Sequence, residues 1–485
     1  MSTPQLRNLI DNEWVDSGQT FADVSPVTGA TIAEVHEADR SVVDAAVGAA
    51  RRALHGPWRS LSVPDRVAAL RRFADGIRNR FDDLAAVEIA DTGKPAALAR
   101  SLDVPRAAVN IDAFADLLTQ VDTESYITEL ADGSRALNYT VRKPLGVVAV
   151  IVPWNLPLLL LTWKLGPALA CGNTVVIKPS ELTPWSATVL GEIAVEAGIP
   201  PGVINIVHGF GPNSAGEYLT THPDIDGVTF TGESSTGATI MSAVASGVKP
   251  VSFELGGKNA GIVFADADFD RAVAGIARSS FLNTGQVCLA TERVYVERSI
   301  YERFVDALAV QARNHRLGHP DAAATTLGPL ISHEHRNKVT HYFDRARAEG
   351  TIITGGGIPD MPDDLVGGSW IEPTIATDLA HDSAVMREEI FGPFCGIIPF
   401  DTEEEAIALA NDTRYGLAAA TWTDDLRRAH RVAAAMDVGI SWVNTWYLRD
   451  LRTPFGGRGL SGIGREGGKH SLDFYTDSTN VVIAL

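Results

Sequence analysis

The chain has 485 residues, 45% of them hydrophobic and 21% charged, with 44 Gly and 25 Pro; this is ordinary globular usage and excludes collagen-like, mucin-like and largely disordered classes. At about 150 residues per domain it has room for two or three domains with a ligand cleft between them. Lys and Arg number 41 against 60 Asp and Glu, a net charge of −19 with no Lys/Arg-rich run; such a surface repels phosphate backbones and anionic lipid, so no nucleic-acid or membrane partner is expected.

Residues 1–14 carry Arg7, Asp11 and Glu13 and offer no apolar run before a small-residue cleavage site, so no signal peptide is expected. Ser62, Pro64 and Asp65 start a helix in which Val67, Leu70, Phe73, Ala74, Ile77 and Phe81 recur at helical spacing, and the N-terminal third reads as helix-rich. Residues 127–141 alternate around Asp132-Gly133, a hairpin signal. Residues 144–163 are uncharged between Lys143 and Lys164 and long enough to span a membrane by count, but Pro144, Pro153, Pro157 and Asn155 argue against spanning. The better parse is a buried strand over 147–152, a rigid loop from Pro153 and an apolar helix from Leu158. Further β-branched runs at 174–177, 203–207 and 228–231 alternate with helical stretches, the pattern of a parallel α/β sheet. A second such unit begins at Gly261, with strands at 262–264 and 294–296 and helices at 270–282 and 300–316. Residues 480–485 form a short apolar strand whose edge needs a partner, and a subunit contact is expected there.

Three cysteines, Cys171, Cys288 and Cys395, cannot build a disulfide framework and form no C-x-x-C pair, so a reducing, cytoplasmic setting is expected. Cys171 lies in an apolar run and Cys395 follows Pro393-Phe394; both read as core. Cys288, in Asn283-Thr284-Gly285-Gln286-Val287-Cys288, sits among polar and glycine residues that imply a loop with accessible backbone donors. A cysteine nucleophile needs a base for turnover and donors for the charge that develops on oxygen. Glu254, at the end of an apolar strand before Gly256-Gly257, supplies a carboxylate, and Asn155, between Pro153 and Pro157, a rigidly held amide. Taken alone, each also reads as a strand-end or turn residue.

Phe230-Thr231-Gly232-Glu233-Ser234-Ser235-Thr236-Gly237 follows a predicted strand and opens a helix, where a pyrophosphate can lie on backbone N–H groups. Its spacing is not the usual dinucleotide fingerprint, whereas Gly457-Arg458-Gly459-Leu460-Ser461-Gly462 does match but follows no strand and reads as a loop. His333 and His335 point apart at i, i+2 on a helix and lack a third ligand, so no metal is expected.

Together, Pro153-Trp154-Asn155, Lys178-Pro179-Ser180-Glu181, Phe230-Thr231-Gly232, Glu254-Leu255-Gly256-Gly257-Lys258, Gly285-Gln286-Val287-Cys288, Glu388-Glu389-Ile390-Phe391-Gly392-Pro393 and Pro454-Phe455-Gly456-Gly457 resemble the aldehyde dehydrogenase superfamily, in family order over nearly the whole chain. The resemblance implies an α/β fold: a Rossmann-type NAD-binding domain (1–121 and 142–254), a catalytic α/β domain (255–460) and a small β oligomerisation arm (122–141 and 471–485) in a homo-oligomer, dimer or tetramer. It implies Cys288, kept available as a thiolate, as nucleophile, Asn155 and the Cys288 N–H as oxyanion donors, and Glu254 as the base that activates water. It assigns NAD to Trp154, Lys178, Ser180, Glu181, Phe230, Gly232, Ser234, Gly237, Leu255, Gly256, Glu389 and Phe391. Glu181 would repel a 2′-phosphate, favouring NAD over NADP. Glu233 places a negative charge in the phosphate loop, and its side chain is expected to point outward.

Residues 253–266, 286–297 and 444–457 look like the branch that oxidises 2-hydroxymuconic and 2-aminomuconic 6-semialdehydes. Such a substrate carries an aldehyde at one end and a carboxylate at the other, so cations must stand far from the cysteine, and arginine suits bidentate carboxylate recognition. Arg106 and Arg449 occupy the branch's positions, with Phe455 as an apolar wall and Arg452 close enough to be mistaken for Arg449. The alternatives are an aliphatic or betaine-type aldehyde, or a cofactor-binding structural protein without turnover. An enzyme this negative is expected to gather Lys178, Arg106 and Arg449 inside its cleft.

Overall fold

The segment Val147–Ile151, β-branched except at Ala149, is buried at every position, which requires apolar layers on both faces of its sheet. The computed structural model, describing residues 3–485, supplies them. Five parallel strands run in the spatial order Val251–Glu254, Gly227–Thr231, Val147–Ile151, Thr174–Lys178, Ile204–Ile206. The chain order reverses between Val147–Ile151 and Gly227–Thr231, the switch point at which open α/β sheets bind ligands. On one face the helix Pro157–Ala170, buried throughout, packs against Val63–Asn79 and Val104–Leu118. Gly166 makes the last contact possible, since a Cβ there would sit 2.9 Å from the Phe114 ring.

A second sheet of seven strands is built around Thr291–Glu297, Asn259–Val263 and Ala418–Trp422, with six strands parallel and Thr351–Thr354 antiparallel at one edge. The expected hairpin and terminal strand meet in one exposed sheet: Thr476–Ala484 pairs along Arg135–Pro144, which pairs with Ser125–Glu129. No helix among the described residues is long and apolar enough to cross a membrane.

The helix-rich reading of the N-terminal third holds over 40–118, where Arg40–Leu54, Val63–Asn79, Phe81–Thr92 and Val104–Leu118 are helices, but the chain before Arg40 is built of strands. Asn8–Ile10 and Glu13–Val15 form a hairpin that extends the first sheet, and Thr31–Glu37 joins Gln19–Val24 and Gln5–Leu6 in a small sheet. Gln5–Leu6, Asn8–Ile10 and Glu13–Val15 are too short to display a period, although Asp11 and Asn12, at φ 57° and 65°, form a two-residue turn of the hairpin type. At the other edge Gly462–Ile463, within the fingerprint look-alike, pairs antiparallel with Val251–Glu254. Lys164 is no solvent-side flank of the apolar stretch but a fully buried residue inside its helix.

Leu165, fully buried in that helix, tests the packing: Leu165→Ala is expected to cost about 3 kcal/mol by opening a cavity. Urea denaturation followed by circular dichroism measures it.

Candidate active site

Parallel strands deliver their following residues to one edge of a sheet. Ile151 leads to Trp154 and Asn155, Lys178 to Ser180 and Glu181, Thr231 to Gly232 and Ser234, and Glu254 ends its own strand. The second sheet brings Cys288, just before Thr291–Glu297, to the same cleft.

The loop before Cys288 is strained. Asn283, Thr284 and Gly285 are consecutive left-handed residues at φ 53°, 57° and 71°, a conformation that persists only where its surroundings over-determine it. Here they do. Asn283 Nδ2 donates to the Asn155 carbonyl at 3.0 Å, Thr284 Oγ1 to Gly328 O at 2.9 Å, and Asn155 Nδ2 to Gln286 O at 2.9 Å. Asn259 Nδ2 holds the Cys288 carbonyl at 2.8 Å. The Asn155 amide is thereby oriented, and its second N–H has no partner within the described chain.

Burial first, then the negative charges of Glu254 and Glu389, push the Cys288 thiol up to about 12, while Arg449 pulls it down. Glu254 is buried, neither carboxylate oxygen has a hydrogen-bond partner, and its pKa is raised well above the usual range by burial and then by Glu466, against Lys164, Arg449 and Arg465. Gly456 leaves room for it: a Cβ there would lie 2.7 Å from Glu254 Oε1.

The opposite side of the cleft has the features of a dinucleotide cradle. The helix Ser234–Ala245 begins without a side-chain cap, leaving its first N–H groups free. A Cβ at Gly237 would press on Leu255 at 2.8 Å, and one at Gly256 would strike the Glu389 carboxylate. Glu389 is turned inward, accepts from Gly257 N at 2.8 Å, and is raised to about 8 by burial and by Glu292. Lys178 Nζ lies 2.8 Å from Glu181 Oε2, and Ser180 Oγ caps Leu182 N at 3.2 Å. Trp154 meets Phe391 edge-on at 5.3 Å. Phe230 belongs to the core beneath, against Phe253 at 6.0 Å, and supports Gly232 from below. Glu233 points away, 60% exposed and 3.5 Å from Lys338.

Arg106 and Arg449 both reach the cleft. Arg106 Nε donates to Asn110 Oδ1 at 3.0 Å. Arg449 lies over the Phe455 ring at 4.0 Å and the Trp163 ring at 4.5 Å, with Nη1 buried and unpartnered. Burial and then the like charge of Arg106 lower it to about 10. Arg452 is excluded from the site, 80% exposed and paired with Asp450 at 2.7 Å.

Several site residues escaped the sequence reading. Lys164 Nζ bonds Glu466 at 2.7 Å and Thr229 at 3.0 Å, behind Glu254. Glu292 pairs with Lys258 at 2.5 Å and accepts from Ile390 N and Phe391 N, which sets the Glu389 loop. Tyr447 stands beside the arginines. A lysine inside an apolar helix was the one readable signal. Of the two histidines, His335 bonds Phe391 O at 2.7 Å while His333 faces Ser369. No group of three or more potential metal ligands occurs among the described residues.

The aldehyde dehydrogenase family model matches residues 14–481. The chain belongs to the aldehyde dehydrogenase family. Relatives include a 2-aminomuconic 6-semialdehyde dehydrogenase of Pseudomonas sp., 58% identical over 99% of this chain and 98% of its own. A 2-hydroxymuconic semialdehyde dehydrogenase of Pseudomonas sp. (strain CF600) is also 58% identical, over 99% of this chain and all of its own. Among solved structures, the NAD+ complex of a Bacillus cereus aldehyde dehydrogenase superposes at TM-score 0.95, with 39% identity over 99% of this chain and 97% of that one. A Staphylococcus aureus betaine aldehyde dehydrogenase in complex with NAD+ gives 0.94, with 39% identity over 98% and 94%. As an aldehyde dehydrogenase family member the chain is an oxidoreductase of α/β fold, and a purely structural role is set aside.

The raised Cys288 thiol sets a reactivity test. Because only the thiolate reacts, alkylation of the cofactor-free enzyme is expected to accelerate about tenfold per pH unit between pH 7 and 10. Arg449→Ala, which removes the charge favouring the thiolate, should slow it at every pH. Peptide mass spectrometry should locate the label on Cys288 and not on the buried Cys171 and Cys395.

Proposed function

We propose that this aldehyde dehydrogenase oxidises a carboxylate-bearing semialdehyde, of the 2-hydroxymuconic or 2-aminomuconic 6-semialdehyde type, to the dicarboxylic acid with NAD. The observation that carries the substrate class is the buried Arg449 guanidinium, unpartnered at Nη1 and facing the like charge of Arg106. An uncompensated buried cation is costly, and a substrate carboxylate bridging the two guanidiniums removes that cost while fixing the aldehyde at a set distance. The names of the two bacterial relatives support the same class. A quaternary ammonium or uncharged aldehyde would leave the guanidiniums uncompensated.

Cys288 Sγ, as thiolate, forms a bond to the aldehyde carbon while the carbonyl π pair moves to oxygen, where the free Asn155 N–H and the Cys288 backbone N–H stabilise the charge. Trp154, Lys178, Ser180, Glu181, the Ser234 helix start, Glu389 and Phe391 would hold NAD, which when bound would accept the hydride whose loss leaves a thioester on Cys288. Glu254 then takes a proton from water, and hydroxide displaces the Cys288 thiolate to give the acid. A carboxyl group raised by burial suits that role. The Glu181 carboxylate beside Lys178 favours a ribose hydroxyl over a 2′-phosphate. The same reading takes 1–121 with 142–254 as the NAD domain and 255–460 as the catalytic domain. The exposed sheet formed by 122–141 and 471–485, with Tyr126, Ile127, Val482 and Ile483 on its surface, is the arm of a homo-oligomer that works in the reducing cytoplasm.

NADH formation across muconic, aliphatic and betaine aldehydes tests the substrate class; comparable kcat/KM for an uncharged aldehyde refutes it. Arg449→Ala should lower kcat/KM for a muconic semialdehyde by roughly 10²–10³, the scale of a lost buried charge contact. Glu254→Gln should cut steady-state turnover by about 10²–10⁴. Because acylation survives, it should leave a stoichiometric burst of NADH and an acyl adduct on Cys288, visible by intact mass.

A further inference from the structure

Residues 444–450 hold two left-handed non-glycine residues, Asn444 at φ 53° and Tyr447 at φ 69°. For a bulky aromatic residue that conformation is an outlier that neighbouring contacts must enforce. The contacts are present. The Tyr447 ring stacks on Trp446 at 5.1 Å, and Trp446 Nε1 donates at 2.9 Å to the carbonyl of Leu289, next to the nucleophile. The turn leaves Leu448 outside, 74% exposed, and brings Tyr447 and Cys288 against the same apolar cluster. The groups acting on the phenol are Asp103, Cys288, Arg106 and Arg449, and burial keeps it protonated. Tyr447 is only half-buried, and its hydroxyl is not among the fully buried polar atoms left without a partner.

We infer that Tyr447 is a specificity residue whose hydroxyl bonds the polar substituent on the carbon beside the substrate carboxylate. This rests on the proposed clamp by Arg106 and Arg449. With the carboxylate on the guanidiniums and the aldehyde on Cys288, the substrate chain crosses the interval that Tyr447 borders. A phenol donates and accepts, so it pairs with a hydroxyl or an amino group alike, in keeping with the uncharged difference between the two semialdehydes. A substrate lacking that group forgoes this bond, and sites built to bond a substrate group discriminate against its absence.

The test is a ratio: kcat/KM for the 2-hydroxy semialdehyde divided by that for the same-length semialdehyde acid without the substituent. The wild type should favour the substituted substrate, and Tyr447→Phe, which keeps the stacked ring, should lower the ratio about tenfold, the scale of one hydrogen bond. Thermal melting and the Cys288 alkylation rate verify that the variant is folded. An unchanged ratio in folded Tyr447→Phe overturns the assignment and leaves the clamp standing. A wild type that oxidises a simple aliphatic aldehyde as well as either semialdehyde acid overturns the clamp, and this assignment with it.

Discussion

Three lysines have no exposure to water at all, or almost none, and each is tied to a glutamate: Lys94 to Glu88 and Asp103, Lys164 to Glu466, Lys258 to Glu292. A buried charge is tolerated only when its geometry is close and its remaining protons are bonded, so each pair acts as a rigid bolt. Each bolt secures one segment of the cleft. Lys94 reaches the Asn155 carbonyl at 3.4 Å while Asp103 starts the helix bearing Arg106. Lys164 and Glu466 stand behind Glu254 and raise or restrain its charge. Lys258 orients Glu292, which in turn holds the backbone ahead of Phe391. Asn155, Glu254 and Glu389, the proposed oxyanion donor, base and cofactor carboxylate, are thus located by desolvation penalties elsewhere in the molecule.

Most of the two α/β units was legible because parallel strands buried on both faces must be continuous apolar runs, and 147–152, 174–177 and 228–231 are such runs. Cys288, Glu254 and Asn155, the proposed nucleophile, base and amide, stood out for a different reason: their flanking glycines and prolines imply bends where backbone comes close to something else, and the family motifs in register suggest roles for those bends. What could not be read is what distant segments do to one another. The Asn8–Ile10 and Glu13–Val15 strands have three residues each, too few for a periodic signal. The Cys288 thiol is raised first by burial and then by Glu254 and Glu389, 34 and 101 positions away in the chain. Tyr447 differs from an ordinary loop tyrosine only in a backbone angle.

The acidic composition also takes on a more definite meaning. Lys178, Arg106 and Arg449, the cations proposed to meet ligand, are all at least half-buried, and Lys94, Lys164 and Lys258 are buried as well. In the proposed reading the first three face ligand space. The last three are neutralised within the protein and shape that space instead.

The sheet pairing of Gly462–Ile463 with Val251–Glu254, and of Thr476–Ala484 with Arg135–Pro144, has a consequence for how the molecule comes into being. During synthesis the nucleotide-binding half emerges first, yet its edge strand and the Glu466 partner of Lys164 arrive only after nearly the whole chain has left the ribosome. Until then a lysine sits in an apolar helix without its counter-charge, and the strand ending in the catalytic carboxylate is open on one side. Folding of the first half is therefore closed off late, by contacts of high sequence separation that form slowly. Glu254, the proposed general base, therefore gains its final surroundings only when the chain is nearly complete.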